Sequence, residues 1–345
     1  MTHSSADGPQ LLIVGFRSGT HVGGSLARAA ERLGVSYAFV DAADAFMAPR
    51  LVRAFTWRLR GRRPPALSRT SRAVAAACAE WRPRWLLGTG MVPIDAPTLA
   101  TIGSLGVKRL NYLTDDPWNP TLRAPWFLDA LRHYDQVFSP RSANLDDLRQ
   151  HGCATVSYLP FGYDPELCFR QAPPTGQEWS HFATDLAFVG GADRDRVPIL
   201  GAAISAGFGV SLYGGYWDRY PQTSRHSRGH ADVATIRKVT SAAKVSLCLV
   251  RRANRDGHVM RSLEIPAMGG CLLAEDTDEH RSLFGPPGQA ATYFRRIPEM
   301  LDQLHWLLGA DDERRRLAAC AESRVREGRH TYEDRLRVML EADWL

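Results

Sequence analysis

The feature that most constrains the fold is a strand–loop–helix–strand unit in the second half of the sequence. The apolar run 245–250 has the length and composition of a buried strand, and 271–274 is a second such run. Between them, apolar and charged residues mix as in a short helix, and Gly269-Gly270 separates that helix from the second strand. Parallel sheets bind ligands in the crevice outside the carboxyl ends of their strands. The polar loop after the first strand is therefore a predicted binding site.

Short apolar runs alternate with helical segments along the whole sequence. This alternation is typical of α/β proteins with parallel sheets, and 345 residues suit two domains of ordinary size. The stretch 171–180, QAPPTGQEWS, is polar and contains proline, so it is the best candidate for a linker. The sequence predicts two doubly wound α/β domains, over residues 1–170 and 181–329.

Two acids, Asp256 and Glu264, mark the polar loop and the predicted helix. A helix beginning just after Asp256 would aim the backbone N–H groups of Gly257 and His258 at an incoming anion. Because a carboxylate has two acceptor oxygens, Glu264 could hold the adjacent hydroxyls of a ribose. Cations in or beside this stretch could bind a diphosphate: Lys244, Arg251, Arg252, Arg255 and Arg261. The alternative is a solvated helix end whose acid pairs with a neighbouring arginine.

A second candidate element for the same site is the loop after a predicted strand over 186–189. This strand ends in Gly190 and Gly191, whose small size lets a ligand approach the backbone. An arginine just beyond could reach a phosphate, and Arg194 is the more plausible of Arg194 and Arg196. A surface Arg–Asp pair explains this arginine equally well.

The paired carboxylates Asp115 and Asp116 follow a predicted strand over 110–114 and precede a proline turn. Two adjacent carboxylates repel each other, which can raise the pKa of one of them. A base in this position could deprotonate an acceptor hydroxyl. The alternative is that one of the two caps the turn that follows.

The second half of the sequence resembles a known family. The segment RSLEIPAMGGCLLAED over 261–276, followed by HRSLFGPPGQAATY and a terminal RHTYEDRLRVML, is similar to the CgeB-like glycosyltransferases, which have the GT-B fold. In GT-B enzymes, two acids with seven residues between them, E-x7-E, flank a helix N-terminus. This chain departs from the pattern in two ways. Its first acid is Asp256 instead of glutamate, and Pro266 falls inside the predicted helix, where it removes a hydrogen bond.

The resemblance implies that the protein moves a sugar from a nucleoside-diphosphate sugar to an unidentified acceptor, without a metal or cofactor. It implies that the donor binds the second domain, that Asp115 or Asp116 faces the acceptor, and that a final helix over 330–345 packs back onto the first domain. It also implies that a glycine-rich first loop faces the interdomain cleft, and the residues assigned to this role are Arg17, Gly19, His21 and Gly23. Two alternatives remain open: a nucleotide-sugar epimerase of the same fold and a non-catalytic binding module.

Other site chemistries lack their sequence signals. The first loop, 15–24, does not have the G-x-G-x-x-G spacing of NAD-binding folds. Two D-x-D matches, at 193–195 and 276–278, are too short to indicate a metal–diphosphate site, and the eleven histidines show no paired spacing. Neither a G-x-S-x-G nucleophile elbow nor a G-x-x-x-x-G-K-[ST] loop occurs. These absences argue against dehydrogenase, hydrolase and NTPase functions, and no metal site is predicted.

The segment from Arg50 to Arg72 contains eight arginines together with Phe55 and Trp57. Such a segment can contact a membrane surface or a polyanion, and it can equally be a solvated amphipathic helix followed by a loop. Nucleic acid is the less favoured partner, since no nucleic-acid-binding motif accompanies it. The predicted contact is a peripheral one at a membrane.

The sequence also gives an expectation about location. No apolar run approaches the ~20 residues that a membrane-spanning helix needs. The N-terminal segment MTHSSADGPQ lacks the basic start and apolar core of a secretory signal. The six cysteines are dispersed, which favours buried free thiols over disulfides or zinc. We therefore expect a cytoplasmic protein, with or without peripheral contact at the inner face of the membrane.

Overall fold

The structure, a computed structural model, describes residues 8–341. The start of the N-terminal segment considered for a secretory signal and the last four residues of the predicted final helix lie outside the described residues. The described residues form two compact units. The first comprises residues 8–160, 253–255 and 332–341, and the second comprises residues 161–252 and 256–331.

The first unit is built on a six-stranded parallel sheet. Its strands are β1 (Leu11–Gly15), β2 (Tyr37–Asp41), β3 (Trp85–Thr89), β4 (Lys108–Tyr112), β5 (Gln136–Ser139) and β6 (Val156–Tyr158), in the spatial order β2-β1-β3-β4-β5-β6. The helices between them are α1 (Val22–Leu33), α2 (Arg50–Leu59), α3 (Leu67–Trp81), α4 (Ala96–Ser104), α5 (Pro125–Leu131) and α6 (Leu145–Gln150). Buried aliphatic side chains of β1 and β3 form the centre of its core, as continuous apolar strands require.

The second unit contains a five-stranded parallel sheet. Its strands are β7 (Thr184–Val189), β8 (Val210–Tyr213), β9 (Ala243–Cys248), β10 (Leu272–Glu275) and β11 (Thr292–Phe294), in the order β11-β10-β9-β7-β8. Its helices are α7 (Gly176–Phe182), α8 (Arg196–Ser205), α9 (Val233–Ala242), α10 (Met260–Ala267), α11 (Asp278–Phe284), α12 (Ile297–Gly309) and α13 (Asp311–Glu327). The last helix, α14 (Tyr332–Glu341), belongs to the first unit, where Glu333 pairs with Arg32 of α1.

The predicted pair of doubly wound parallel sheets is confirmed. In each sheet the strand order reverses once, between β1 and β3 in the first unit and between β7 and β9 in the second. Helices leave such a point in opposite directions, which opens a crevice at the carboxyl ends of the two strands. Each unit therefore has one edge at which a ligand site is expected.

The boundaries between the units differ from those that the sequence predicts. The long N-terminal segment of the first unit ends at Pro160, so the predicted boundary at residue 170 falls inside the second unit. The stretch 171–180, predicted to be a linker, also lies in the second unit, and its last residues form the start of α7. Polar composition did not distinguish an exposed helix from a linker here, because both expose most of their side chains.

Candidate functional site

The carboxyl edge of the second sheet brings the ends of β7 and β8 very close together. Gly190 follows β7, and its carbonyl accepts a hydrogen bond from the indole N–H of Trp217 at 2.8 Å. Gly214 follows β8 with a positive φ of 137°, and a Cβ added to it would lie 2.3 Å from the carbonyl oxygen of Gly190. Gly191 is half-buried, and a Cβ added to it would make an ordinary contact, 3.6 Å from the carbonyl oxygen of Gly215. The predicted glycine pair thus leaves backbone accessible at this edge.

Arg196 joins the two strand ends at the point where the strand order reverses. Its side chain is buried in the first turn of α8 and donates to the carbonyl of Gly191 after β7 (3.1 Å) and to that of Leu249 after β9 (3.4 Å). Its Nε lies 3.6 Å from the carboxylate of Asp193. Burial lowers the pKa of Arg196, and the charge of Asp193 opposes this shift. Because the pKa of a guanidinium is ordinarily far above neutral, Arg196 stays charged at neutral pH.

Arg194, which the sequence favoured over Arg196, does not occupy this position. Its side chain is exposed, and within residues 8–341 it makes no hydrogen bond or ion pair. The physical reason is where α8 begins. Arg196 is its first residue and its side chain faces the sheet, whereas Arg194 precedes the helix in the exposed loop.

The loop after β9 is fixed by two acids. Glu275, at the end of β10, accepts the N–H of Val250 at 2.7 Å and pairs with Arg252 at 3.3 Å. Asp256 is buried, and its carboxylate accepts the N–H of Arg251 at 3.3 Å. Asp256 also contributes to the electrostatic environment of Arg196, where its charge raises the arginine's pKa. Asp256 therefore lies at the predicted edge of the sheet. It fixes the conformation of the loop and adds a negative charge to the surroundings of Arg196.

His258 is fully buried and makes two hydrogen bonds. Its Nε2 accepts the N–H of Phe161 at 3.0 Å, so its Nδ1 carries the proton and donates to Glu279 at 2.6 Å. A Cβ on the adjoining Gly257 would lie 2.4 Å from the carboxyl carbon of Glu279, so a larger residue there would displace the side chain that His258 binds. Its carbonyl also accepts the hydroxyl of Thr277. His258 thus anchors the turn before α10 through its side chain.

Helix α10 begins at Met260, three residues later than the sequence suggested. Its N-cap is Val259, whose N–H donates to Ser262 Oγ at 3.0 Å. Ser262 Oγ lies 2.8 Å from His280 Nε2, and His280 Nδ1 donates to the carbonyl of Glu275 at 2.7 Å. The N–H groups of the first helical turn, starting at Met260, therefore replace those of Gly257 and His258 as the helix end that can face an anion. Pro266 is accommodated near the end of the helix.

Glu264 lies in the middle of α10, is 3% exposed and pairs with Arg261 one turn earlier. It lines a cavity of about 10 Å³ together with Arg261 and apolar residues of β7, β9 and α9. The pairing with a neighbouring arginine agrees with the alternative interpretation, but Glu264 is buried and does not lie at a solvated helix end. Only one carboxylate oxygen, Oε2, takes part in it, and within the described residues Oε1 makes no hydrogen bond.

Lys244 lies at the wrong edge of the sheet for a ligand at this site, which corrects the expectation. It is the second residue of β9, at the amino end of the strand, and pairs with Asp185 at the amino end of β7 (2.9 Å). The amino and carboxyl ends of a six-residue strand such as β9 are separated by the length of the strand, roughly 3.3 Å per residue.

In the first unit, Asp115 and Asp116 have different environments. Asp116 is buried, accepts the N–H of Trp118 at 2.9 Å and pairs with Arg255 at 2.6 Å. Arg255 has a positive φ of 52° and also pairs with Asp147 at 2.7 Å. The hydrogen bond with Asp116 is the largest of the effects that raise the pKa of Arg255. Asp116 therefore caps its turn, as the alternative interpretation of the sequence has it, and in addition it holds Arg255.

Asp115 is half-buried and accepts one hydrogen bond, from the side-chain amide of Asn254 at 3.1 Å. Asn254 in turn accepts from Asn119 at 2.6 Å. Of the two acids, Asp115 is the one whose charge no cation neutralises within residues 8–341. It is therefore the stronger candidate for a base.

The glycine-rich first loop is shaped by close packing at the end of β1. A Cβ on Gly23 would lie 2.8 Å from the carbonyl oxygen of Phe16, so glycine is required where α1 begins. Arg17 and His21 are exposed, with Arg17 4.8 Å from the ring of Phe39. Gly19 has a positive φ of 61° at the exposed tip of the loop. The loop lies at the carboxyl edge of the first sheet, and its assignment to an acceptor remains a prediction.

Among residues 8–341, no group of three or more histidine, cysteine, aspartate or glutamate side chains is arranged to hold a metal ion. In the D-x-D match at 276–278, Asp276 pairs with Arg281 at 2.5 Å and with Arg295 at 2.9 Å. The hydrogen bond from Arg281 is the largest effect that lowers the pKa of Asp276. The carboxylate of Asp276 thus forms ion pairs with two arginines.

Comparison with known proteins gives one match to a sequence family and several matches to solved structures. Residues 196–341 match the model of a family described as "Glycosyl transferase-like". The match covers the part of the second unit that contains Arg196, Asp256, α10 and Glu275, and it extends to the end of α14. A comparison with curated protein sequences gives no match.

Several solved structures share the fold at low sequence identity. Sucrose-phosphate synthase from Thermosynechococcus elongatus has a TM-score of 0.66 and 12% identity, covering 97% of this chain and 99% of that one. A UDP-forming α,α-trehalose-phosphate synthase from Burkholderia xenovorans has a TM-score of 0.59 and 14% identity, covering 96% and 99%. Anabaena HepE, solved with UDP and glucose, has a TM-score of 0.63 and 11% identity, covering 97% and 100%.

The buried network at the start of α10 predicts a pH dependence of stability. Burial lowers the pKa of His280 from 6.5 to about 4, so the folded protein keeps this imidazole neutral where the unfolded chain protonates it. Because the unfolded state then binds more protons, the free energy of unfolding falls as the pH drops from about 6.5 to about 4. The free energy of unfolding should fall by about 3 kcal/mol from this residue alone.

Urea denaturation of the wild type and of His280→Asn across this pH range measures the effect. The variant should be less stable at pH 7 but should lose less stability on acidification. Equal pH slopes for the two proteins would contradict a neutral, buried His280.

The structures compared above belong to the GT-B class, and this chain shares their fold over nearly its whole length. The fold and the family match over residues 196–341 together support a glycosyltransferase enzyme of the GT-B fold.

Proposed function

We propose that the protein transfers a sugar from a nucleoside-diphosphate sugar to an acceptor, and that the donor binds at the carboxyl edge of the second sheet. One observation carries the proposal. The buried guanidinium of Arg196 sits where the strand order reverses, between the accessible backbone of Gly191 and the loop before α10. A fixed, permanently charged group beside a helix N-terminus is suited to bind a diphosphate.

The chemistry of the site matches the demands of sugar transfer. As the glycosidic bond breaks, its electron pair leaves with the diphosphate, which therefore gains negative charge. Arg196 and the first N–H groups of α10 are held in place before the donor binds, so they stabilise this charge without reorganisation. Protein groups alone supply this stabilisation in our proposal, and a divalent metal is not required.

The nucleoside would lie on the α10 side of the diphosphate. Arg261 holds Glu264 Oε2, which leaves Oε1 to accept a ribose hydroxyl. UDP is the nucleotide to test first, because two proteins of the same fold have UDP in their names or in their structures. The finer resemblance of the sequence, to the CgeB-like enzymes, forms part of the same proposal.

We assign the acceptor base to Asp115. Asp116 is neutralised by Arg255, so accepting a proton would first require that ion pair to break. Asp115 has a single neutral hydrogen-bond donor, Asn254, and keeps acceptor capacity for a hydroxyl. The epimerase alternative is weaker, because the family model that the chain matches is that of transferases.

Arg196→Ala should weaken UDP binding by about 1.5–3 kcal/mol, the range for a hydrogen bond to a charged group. It should weaken inorganic diphosphate binding as well, because the lost contact is to phosphate. Calorimetric titration measures both, with Arg194→Ala as the matched control two residues away on the exposed side. Unchanged diphosphate affinity in a folded Arg196→Ala protein, or an equal loss in the control, would remove Arg196 from the site.

Glu264→Gln should weaken UDP binding by about 1–3 kcal/mol while inorganic diphosphate binding stays unchanged. The substitution keeps the shape of the side chain and removes its charge, so the effect reports the contact with the sugar of the nucleoside. Thermal melting controls for the lost ion pair with Arg261. If both ligands lose affinity equally, or neither does, Glu264 is only the partner of Arg261.

Asp115→Asn should lower turnover at least about a hundredfold with donor affinity unchanged, as expected when a general base is lost. Asp116→Asn should instead lower thermal stability, because it leaves Arg255 without its buried partner. Glycosyl transfer to acceptors, found by screening with UDP-sugars, gives the rates. The same screen tests the epimerase alternative, since isomerised donor in the absence of acceptor would support it. A larger loss of turnover in Asp116→Asn than in Asp115→Asn would reverse our assignment.

A further inference from the structure

Helix α2 turns its apolar side chains outwards. None of its residues is buried, even though several are large and apolar. The exposed fractions of Leu51, Val52, Phe55 and Leu59 are 84%, 44%, 52% and 73%. At 3.6 residues per turn these four side chains lie within one arc of the helix. A surface helix of a globular protein normally turns such an arc towards the core. Here the arc is exposed instead, and the ring of Phe55 lies 5.9 Å from the guanidinium of Arg60 in the same segment.

The same segment is strongly and uniformly basic. No aspartate or glutamate occurs between Asp44 and Glu80, while eight arginines lie from Arg50 to Arg72. Arg50, Arg53 and Arg58 are exposed and form no ion pair with any described residue. Elsewhere in the chain, exposed arginines commonly pair with acids one helical turn away, as Arg296 does with Glu299. The charge of α2 is therefore uncompensated by its surroundings.

Behind the apolar arc, the other side of α2 forms a basic groove of about 430 Å³. Its lining includes Arg50, Arg53, Trp57, Arg58, Arg62 and Arg63. Arg62 stacks 5.7 Å from the ring of Trp57 and donates to the carbonyl of Pro120 at 2.8 Å, which ties the end of the segment to the body of the first unit. The groove thus contains one guanidinium group that is held in place, that of Arg62, and others that form no ion pair with a described residue. It lies on the side of α2 opposite the exposed apolar arc.

We propose that α2 and the turn after it, residues 47–63, form a docking element for the surface of an anionic phospholipid bilayer. The apolar arc enters the boundary between headgroups and acyl chains, and the arginines contact lipid phosphates. No helix of the described residues has the length and apolar character needed to cross a membrane, so this contact is peripheral. The inference goes beyond the proposed sugar transfer and does not depend on it.

Charge and shape favour a lipid surface over other occupants. A second copy of the chain would bring two uncompensated arginine clusters together, which costs free energy. Nucleic acid would match the arginines but would leave the aliphatic side chains of Leu51 and Leu59 exposed, since it offers mainly phosphates and stacking faces. An anionic bilayer satisfies both the apolar arc and the charge.

Vesicle co-sedimentation of the full chain tests the proposal. We expect binding to vesicles that mix phosphatidylcholine with phosphatidylglycerol, weaker binding at high salt, and little binding to phosphatidylcholine alone. Arg53→Gln with Arg58→Gln should weaken binding about fivefold per arginine. Leu51→Gln with Phe55→Gln should weaken it about tenfold or more, because the inserted apolar area is lost. All four positions are exposed, so thermal melting should be unchanged.

Matched control variants make the same changes elsewhere. Arg296→Gln with Arg315→Gln lowers the net charge equally, and Trp306→Gln removes an exposed apolar side chain from α12. Vesicle binding by these variants should equal that of the wild type. If vesicle binding by the control variants falls as far as that of the α2 variants, net charge or non-specific hydrophobic adsorption drives the binding. That result would overturn the proposal.

Three further results would overturn it. The first is no binding of the wild-type protein to anionic vesicles, or equal binding to neutral ones. The second is binding to a single-stranded oligonucleotide that competes with vesicles and survives Leu51→Gln with Phe55→Gln, which would identify a polyanion site. The third is a dimer in solution that this double variant dissociates, which would identify a second copy as the occupant.

Discussion

The second unit depends on one buried cation at the point where its strand order reverses. Arg196 donates to carbonyl groups of the loops after β7 and after β9, so a single guanidinium determines how the two loops are spaced. Burying a charge is costly unless it is paired and hydrogen-bonded, and Arg196 is supported by Asp193 and Asp256. A diphosphate bound beside it would complete this compensation. The same residue would thus shape the site and bind the ligand.

A second network fixes the start of α10, the helix that follows the loop after β9. Ser262 accepts the N–H of Val259 and is held by His280, while His258 binds Glu279. These side chains are buried, so the start of α10 is set by interior hydrogen bonds that no ligand needs to form. A site built in this way is preorganised, because the cost of placing its N–H groups is met on folding.

The fold was predictable from the sequence because its signals are local. Apolar runs such as 245–250 determine strands, and alternation with helices determines a parallel sheet. The site was only partly predictable, because its pairings join distant residues. Arg255 was predicted to bind phosphate and instead holds Asp116, 139 positions away. The choice between Arg194 and Arg196 depended on a helix start that composition does not fix. Lys244 could have been excluded, since a residue that precedes a strand lies at its amino end.

The central claim is that Arg196 and the start of α10 bind the diphosphate of the donor. The most direct measurement is a crystal structure of the protein with UDP. We expect diphosphate oxygens within hydrogen-bonding distance of the Arg196 guanidinium and of the first backbone N–H groups of α10, with a ribose hydroxyl on Glu264 Oε1. UDP bound with its diphosphate away from Arg196, at another edge of either sheet, would contradict this account.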